Sequence, residues 1–490
     1  MILYIKNHPY QYECENLCRV FFPDESIRAT TEADGEDSIS AFTAVEKTAD
    51  KTIVTARVTA FGKTGEEALT LDNNEDNYDE CCERKLATAL FCALREVTGY
   101  TPQWGLLTGV RPAKLMHALS KRFGGDDAAE SFFRDELLVS PDKARLARRV
   151  AESENNIIAM SQDKSFSLYI SIPFCPTRCS YCSFVSSSMK SASKLIPQYV
   201  ELLKREIRET ADIARSLSLR LESIYFGGGT PTTLSAQQLK ELIDTIGECF
   251  DLSNLREYTI EAGRPDTLTR DKLEVINSGI AKRISINPQT MNDEVLKAIG
   301  RAHTAEQALE MFGLSREVGI GNINMDIIAG LPNDTLESFK ATLDKICDLS
   351  PESITVHTLS LKRSSTLVQE GGFHKDSELA ADMLAAAQEK LYANGYAPYY
   401  MYRQSRMVGN LENVGWSKAG YECLYNVFMM DETHTILSCG AGAVTKLRVP
   451  NVNKLERIFN YKYPFEYISG FDTILERKKR IAEFYAEFNL

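Results

Sequence analysis

Residues 169–184 read Tyr-Ile-Ser-Ile-Pro-Phe-Cys-Pro-Thr-Arg-Cys-Ser-Tyr-Cys-Ser-Phe. Cys175, Cys179 and Cys182 fall within eight residues, directly after an apolar run, Ser167 to Ile172, with the pattern of a buried strand. No second set of cysteines sits at a distance that would make these three part of a disulfide framework. Carried on one loop, they can point three thiolates at one centre. A structural zinc site wants a fourth ligand, and none is evident nearby. An iron–sulfur cluster is usually held by four cysteines, so three would leave one iron open to another ligand. A zinc knuckle or three buried core cysteines are the plainer alternatives.

Outside this loop the chain reads as an ordinary globular protein. Its 490 residues are enough for two or three domains, and 43% hydrophobic with 25% charged residues argues against wholesale disorder. A net charge of −12 excludes broad, non-specific nucleic-acid binding. Twelve cysteines, no secretory signal in Met1 to Asn7 and no apolar run of membrane-spanning length predict a soluble, cytoplasmic protein in a reducing compartment.

Three divisions are expected: residues 1–160 as an N-terminal α+β extension, 161–365 as the core, and 366–490 as a C-terminal α+β domain covering a substrate. In the first, Ile2 to Lys6 and Thr52 to Phe61 read as strands. Cys81 to Thr98 and the segment from Pro112 read as helices, with Pro112 at a first helical position. Cys14 and Cys18 lack matching ligands and read as ordinary thiols. In the core, strands are predicted at 167–172, 222–226, 257–261, 282–286, 322–328 and 353–358. Helices are predicted between them, around 193–217, 235–248, 268–278, 304–317 and 334–348. That alternation implies a parallel sheet with right-handed crossovers. Six units are too few for a closed eight-stranded barrel, so a partial (β/α)6 barrel in an α/β fold is predicted, with chemistry at the carboxyl ends of its strands. Farther on, a helix over Asp376 to Asn394, a strand over Tyr396 to Tyr402, a loop over 409–426 and a strand pair around Met429 to Leu437 are expected, then mostly helix from 451.

Unusual residues fall at those strand ends. Strand 222–226 runs into Gly227-Gly-Gly-Thr-Pro-Thr232, where three glycines permit a close approach to a ligand. The third strand ends at Glu261, a carboxylate that is costly there unless paired or hydrogen-bonded. The fourth ends near Gln289, and the fifth carries Asp326 within Asn324-Met-Asp-Ile-Ile-Ala-Gly-Leu-Pro332. Gly300-Arg301-Ala-His303 lies between these last two strands, and a structural Arg301–Asp326 ion pair is one reading of it. His303 and His357 are possible pocket groups, with a satisfied core histidine the commoner reading of each.

Cys175-x3-Cys179-x2-Cys182, with Tyr181 before the last cysteine, resembles the signature of the radical S-adenosylmethionine (SAM) enzymes. That resemblance implies a 4Fe-4S cluster whose open iron is chelated by SAM, and a 5′-deoxyadenosyl radical that abstracts hydrogen from an unactivated carbon. It also implies SAM contacts from Tyr169, Tyr181, Gly228, Gly229, Thr230, Glu261, Gln289, Arg301 and Asp326. Together the quoted motifs are similar to the oxygen-independent coproporphyrinogen III dehydrogenases, over residues 165–445, and most to their longer Z-type form. The reaction so implied is oxidative decarboxylation of coproporphyrinogen III to protoporphyrinogen IX in heme biosynthesis. It needs an external electron donor of the ferredoxin or flavodoxin type. Arg264, Lys362, Arg363 and Arg403 are candidate contacts for the tetra-anionic tetrapyrrole; oligomeric state, a monomer included, is left open. Two departures stand out. Phe184 occupies the position of a further cysteine in one branch. Cys423-Leu-Tyr-Asn426-Val-Phe428 replaces a histidine-bearing stretch of a sister branch of heme chaperones. A heme-binding or heme-transfer protein, or a radical SAM enzyme for another tetrapyrrole, are the alternatives.

Overall fold

The computed structural model describes residues 1–32, 38–182, 186–279, 281–360, 376–404, 407–449 and 454–488. The chain forms two units, Met1–Ala151 with Tyr402–Glu412, and Glu152–Met401 with Asn413–Leu490. The first is built on a five-stranded sheet. Its strands are β1 (Ile2–Lys6), β2 (Arg28–Thr30), β3 (Ser40–Lys47), β4 (Lys51–Ala60) and β5 (Lys63–Asp72), in the order β2-β1-β3-β4-β5. Alternation along β4 buries Thr52, Val54, Ala56, Val58 and Ala60 on one face. Leu17 and Phe21 of the helix Gln11–Phe21, and Leu86, Leu90 and Leu94 of the helix Tyr78–Thr98, share one core with Leu3, Val54 and Val58.

The sequence reading finds β1 and β4 but not β3 or β5. Polar β5 (Lys-Thr-Gly-Glu-Glu-Ala-Leu-Thr-Leu-Asp) is a strand because it pairs along the whole of β4, from Ala60 opposite Lys63 to Lys51 opposite Asp72. Cys14, Cys18 and Cys82 are buried in the core. Burial, first of all, pushes the Cys14 thiol up to about 12, which suits packing rather than nucleophilic chemistry. Pro112 opens the helix Pro112–Phe123 as expected.

Arg403, a candidate anion contact, belongs to this unit and is 3% exposed. Its guanidinium donates to the carbonyls of Leu107 at 2.7 Å and Asn410 at 3.0 Å, and lies 5.3 Å from the Trp104 ring. The Trp104 indole N–H in turn donates to Glu412 at 2.7 Å. Arg403 therefore ties residues 402–412 to the stretch 104–109 through its two terminal nitrogens, which are held by main-chain carbonyls.

The second unit carries the predicted core. Its strands are β6 (Ser165–Ile172), β7 (Phe174–Cys175), β8 (Ser187–Ser188), β9 (Arg220–Gly228), β10 (Glu257–Glu261), β11 (Arg283–Gln289), β12 (Asn322–Ala329), β13 (Ser353–Thr358), β14 (Ala397–Tyr402), β15 (Asn413–Ser417), β16 (Thr435–Cys439), β17 (Val444–Arg448) and β18 (Leu455–Phe459). Strands β6, β9, β10, β11, β12 and β13 pair in that order, each parallel to the next. The helices Ile196–Ser216, Ala236–Cys249, Arg270–Ser278, Ala305–Glu317 and Leu336–Leu349 connect them. This is the sequential, all-parallel order of the predicted partial (β/α)6 barrel. The helix starts follow from capping residues. Ser235 and Thr304 each bond the third helical N–H while Gln238 and Gln307 reach back to the cap.

Residues expected as a separate C-terminal domain instead extend this sheet. β16 adds parallel to β6 and is followed by antiparallel β17 and β18, while β15 pairs antiparallel with β13 and β14 follows it. Both edges of an open barrel leave a row of unpaired main-chain groups, and these strands cover them. Within this region β15 lies inside the expected loop 409–426, and Leu424–Asp431 is helical where a strand was expected to begin at Met429. Glu257 decides that helix, because its carboxylate accepts from the Leu424 N–H at 2.6 Å and so caps the amino end. Among the described residues no helix is long and apolar enough to cross a membrane.

A buried ionic network ties the last helix to the barrel. Glu206, on Ile196–Ser216, is fully buried and pairs with Lys478 of the helix Phe471–Glu487 at 3.0 Å. It also accepts from Tyr467 Oη at 2.6 Å and from the Gly440 N–H at 2.8 Å. Truncation to Glu206→Ala strands the Lys478 ammonium without its counter-charge. A loss of about 3–5 kcal/mol in urea unfolding is expected.

Candidate functional site

The cysteine loop leaves β6 after Ile172 and is closed by a short parallel pairing of β7 with β8, Phe174 opposite Ser187 and Cys175 opposite Ser188. Inside it the Cys182 N–H donates to the Cys179 carbonyl at 3.1 Å, while the Ser180 N–H donates to Ile299 O at 3.1 Å. The loop packs on the glycine triplet at the end of β9. Gly229 N–H donates to Ile172 O and Thr230 N–H to Phe174 O, each at 2.7 Å. A β-carbon at residue 229 would lie 2.5 Å from Phe174 O. Gly228 has φ +106°, and a β-carbon there would meet Ser171 Oγ at 2.9 Å. The glycines were expected to make room for a ligand; Gly229 is required by the backbone of the cysteine loop itself, and Gly228 by its positive φ against the end of β6. Thr230 Oγ1 then donates to Cys175 Sγ at 3.6 Å. Phe184, Lys362 and Arg363 lie outside the described residues.

Two arginines approach the loop from below. Arg301 donates to Tyr181 Oη at 3.0 Å and to the carbonyl of Asn287 at 3.2 Å. Arg264, a candidate substrate contact, is 3% exposed and forms a two-point pair with Asp266, both contacts 2.9 Å. Its remaining nitrogen reaches Thr177 Oγ1 at 3.2 Å and Cys179 Sγ at 3.7 Å. Arg264 therefore serves the cysteine loop, not an exposed anion site. His303 is buried beside both arginines. Burial first, and then the charges of Arg301 and Arg264, push its pKa down to about 4, so the ring is neutral.

Strand ends supply the rest. Tyr169 stacks in parallel with Tyr225 at 6.3 Å and with Tyr425 at 5.9 Å, and Tyr225 with Tyr425 at 4.6 Å. Tyr225 Oη donates to Glu261 at 2.6 Å. Burial pushes the Glu261 carboxyl up to about 7; the Tyr225 hydroxyl opposes this and the charge of Asp326 adds to it. Asp326 does not pair with Arg301. It faces His357 Nε2 at 3.6 Å and accepts from Asn324 Nδ2 at 2.7 Å. Burial would raise the Asp326 pKa, but the His357, Asn324 and Thr355 contacts outweigh it and hold the carboxyl below its ordinary range. Gln289, at the end of β11, has φ +70° where the β11–β12 register shifts. Such a conformation costs a non-glycine residue of order 1–3 kcal/mol and tends to occur where function demands it.

The structure thus brings Cys175, Cys179, Cys182, Tyr181, Gly228, Gly229, Thr230 and Arg301 into one contact network. Tyr169, Glu261, Gln289 and Asp326 lie on neighbouring strands. Sequence reasoning missed Tyr225, Asp266 and Asn324. Tyr225 had a signal, since it sits two residues before Gly227 on a strand whose side chains alternate faces. Asp266 and Asn324 had none, because their partners are chosen by tertiary approach.

Among the described residues no group of three or more His, Cys, Asp or Glu side chains is arranged to hold a metal ion. Ser180 Oγ and Arg301 Nε are buried without a hydrogen-bond partner among the described residues, beside the loop. Unmatched polar atoms of this kind are expected where a further polar group binds.

Comparison with known proteins agrees with this arrangement. A family model described as the radical SAM superfamily matches residues 169–346. The oxygen-independent coproporphyrinogen-III oxidase-like protein HemZ of Bacillus subtilis is 38% identical over 402 residues, 80% of this chain and 79% of that protein. The heme chaperone HemW of Bacillus subtilis is 32% identical over 297 residues, 59% of this chain and 74% of that one. Among solved structures, Escherichia coli HemN, a coproporphyrinogen III oxidase and radical SAM enzyme, has a similar fold, with a TM-score of 0.51 at 23% identity. The match covers 66% of this chain and 72% of HemN.

The Glu261 carboxyl gives a pH signature. An unfolded glutamate titrates near pH 4.3, about the usual value, whereas the folded group titrates at about 7. Between those values the folded state holds the extra proton, so this group's contribution is fully present at low pH and declines as pH rises through 7. In thermal melts of the cofactor-free protein from pH 5 to pH 8, wild type should lose stability relative to Glu261→Gln. A flat difference between the two would contradict the assignment.

Proposed function

Because the chain belongs to the radical SAM superfamily, in the branch that includes the HemZ-type coproporphyrinogen-III oxidase-like proteins and the HemW heme chaperones, we propose that it oxidatively decarboxylates coproporphyrinogen III to protoporphyrinogen IX without oxygen. The observation that carries this reading is the 38% identity to HemZ across four-fifths of the chain. Held by this chain, a 4Fe-4S cluster with SAM would supply the reductive cleavage and hydrogen abstraction that begin the reaction.

The chain's own residues have distinct tasks in this reading. Cys175, Cys179 and Cys182 hold the cluster. Gly228, Gly229 and Thr230 offer main chain and a hydroxyl to the methionine part of SAM. Glu261, raised toward 7 when empty of cations, ionises against a positive or hydroxyl-bearing ligand. Arg301, with one buried donor unmatched, and Gln289 and Asp326 complete the cofactor's surroundings. Tyr169, stacked on Tyr225 and Tyr425, gives the pocket an apolar wall with a hydroxyl at its tip. Burial, and then the charge of Glu261, keep that hydroxyl protonated. Lys362 and Arg363 remain the proposed contacts for substrate carboxylates. Each reacting propionate gives up a β-hydrogen, carbon dioxide and one electron to become a vinyl group. An external donor of the ferredoxin or flavodoxin type feeds the cluster, and a separate acceptor takes the last electron.

A second reading is favoured by the HemW relatives: binding and transfer of heme with the cluster retained. The stretch Cys423 to Phe428 speaks less for it, since Cys423 is fully buried and its thiol donates to Glu257 at 3.3 Å. Anaerobically reconstituted protein, given SAM, a reductant and coproporphyrinogen III, should yield products one and two formic-acid equivalents lighter by mass spectrometry. Each single Cys→Ala variant at 175, 179 or 182 should lose cluster absorbance and at least ~10³-fold in product, an estimate from the scale of cofactor-dependent acceleration. Tight heme binding with unchanged coproporphyrinogen would favour the second reading.

A further inference from the structure

The guanidinium of Arg264 brings a charged hydrogen-bond donor to a cysteine sulfur of the loop. Asp266 grips its Nε and Nη2, both at 2.9 Å, which leaves Nη1 fixed toward Thr177 Oγ1 at 3.2 Å and Cys179 Sγ at 3.7 Å. A two-point grip holds the planar fork in one orientation, which a lysine could not copy. Both members are withdrawn from solvent, Arg264 at 4% and Asp266 at 19% side-chain exposure, so water screens their charges weakly. Such a pair is more than is needed to close a surface turn, because the arginine's free donor points at a sulfur.

We infer that Arg264 sets the reduction potential of the centre held by Cys179, and that Asp266 is its counterweight. The inference rests on the cluster reading above. Reduction adds one electron to the centre, with no bond made or broken at Arg264. A fixed positive charge and hydrogen bond at a ligand sulfur favour the more negative, reduced form, so Arg264 raises the potential and the carboxylate beside it lowers it. Arg264 is thus a positioning residue that acts through Cys179.

Opposite signs separate this role from a merely structural one. Full-length protein, reconstituted with iron and sulfide without oxygen, is titrated against a dithionite–dye scale and read by electron paramagnetic resonance. In Arg264→Gln the ratio of reduced to oxidised centre at fixed potential should fall at least tenfold, about 59 mV more negative for one electron. In Asp266→Asn it should rise, and Arg264→Lys should lie between Arg264→Gln and wild type. Unchanged potentials, or shifts of the same sign in Arg264→Gln and Asp266→Asn, overturn the inference. If Arg264→Gln assembles no centre, Asp266→Asn decides by its sign alone: a lower or unchanged potential overturns the inference. Absence of any cluster signal in wild type would instead remove the cluster reading itself.

Discussion

A missing β-carbon at residue 229 is the constraint on which the site depends. The carbonyl of Phe174 occupies the space that carbon would take, 2.5 Å from its position. Two main-chain hydrogen bonds of 2.7 Å then fasten the start of the cysteine loop to the end of β9. The thiols do not position themselves. Their loop is held by its neighbour's backbone, and Thr230 carries that registration to Cys175 through a 3.6 Å contact. Any side chain at 229 would push against main chain, which cannot step aside as the tip of a lysine could.

Buried polar residues sit at both ends of the barrel strands. At the carboxyl ends Arg301 Nε is unmatched and the Glu261 pKa is raised. Toward the amino ends Glu257, the first residue of β10, caps the helix Leu424–Asp431 and accepts from the Cys423 thiol. Arg283, the first residue of β11, donates through one nitrogen to Ser353 and Asn322, while its Nε and Tyr258 Oη are buried without a partner among the described residues. His434 has Ser167 on one ring nitrogen and Ser161 on the other, at 3.0 and 2.8 Å. Such satisfied buried groups rigidify the barrel, and barrels of this kind work at the carboxyl ends of their strands.

The core was legible because parallel strands covered on both faces are written as short apolar runs between capped helices. All six predicted core strands are present, with ends displaced by up to three residues at Gln289. Ser235 and Thr304 announced their helices in the side chains that cap them. Less legible was anything decided by approach across the fold. An Arg301–Asp326 pair was one reading of the sequence, yet Tyr181 and His357 are the groups that reach them. Arg264 and Arg403 looked like anion contacts from their places in the chain, while Asp266 and the carbonyls of Leu107 and Asn410 engage them. β5 and β15 carry no pattern of their own and exist because β4 and β13 offer an edge to pair with. Local pattern names an element, but the partner of a long side chain is a three-dimensional choice.

The order in which the chain is made bears on the buttress beneath the thiols. Ser171, four residues ahead of Cys175, donates its hydroxyl to Ala441 O at 2.7 Å, across 270 residues of sequence. The Tyr199 hydroxyl bridges the same two segments, donating to Ser171 O and accepting from the Ala441 N–H. At about 5–20 residues per second on a ribosome, the cysteines precede that support by about 15–55 s. A nascent chain thus exposes three oxidisable sulfurs on an unbraced loop throughout that interval. The braced form of the cysteine loop accordingly belongs to the finished polypeptide.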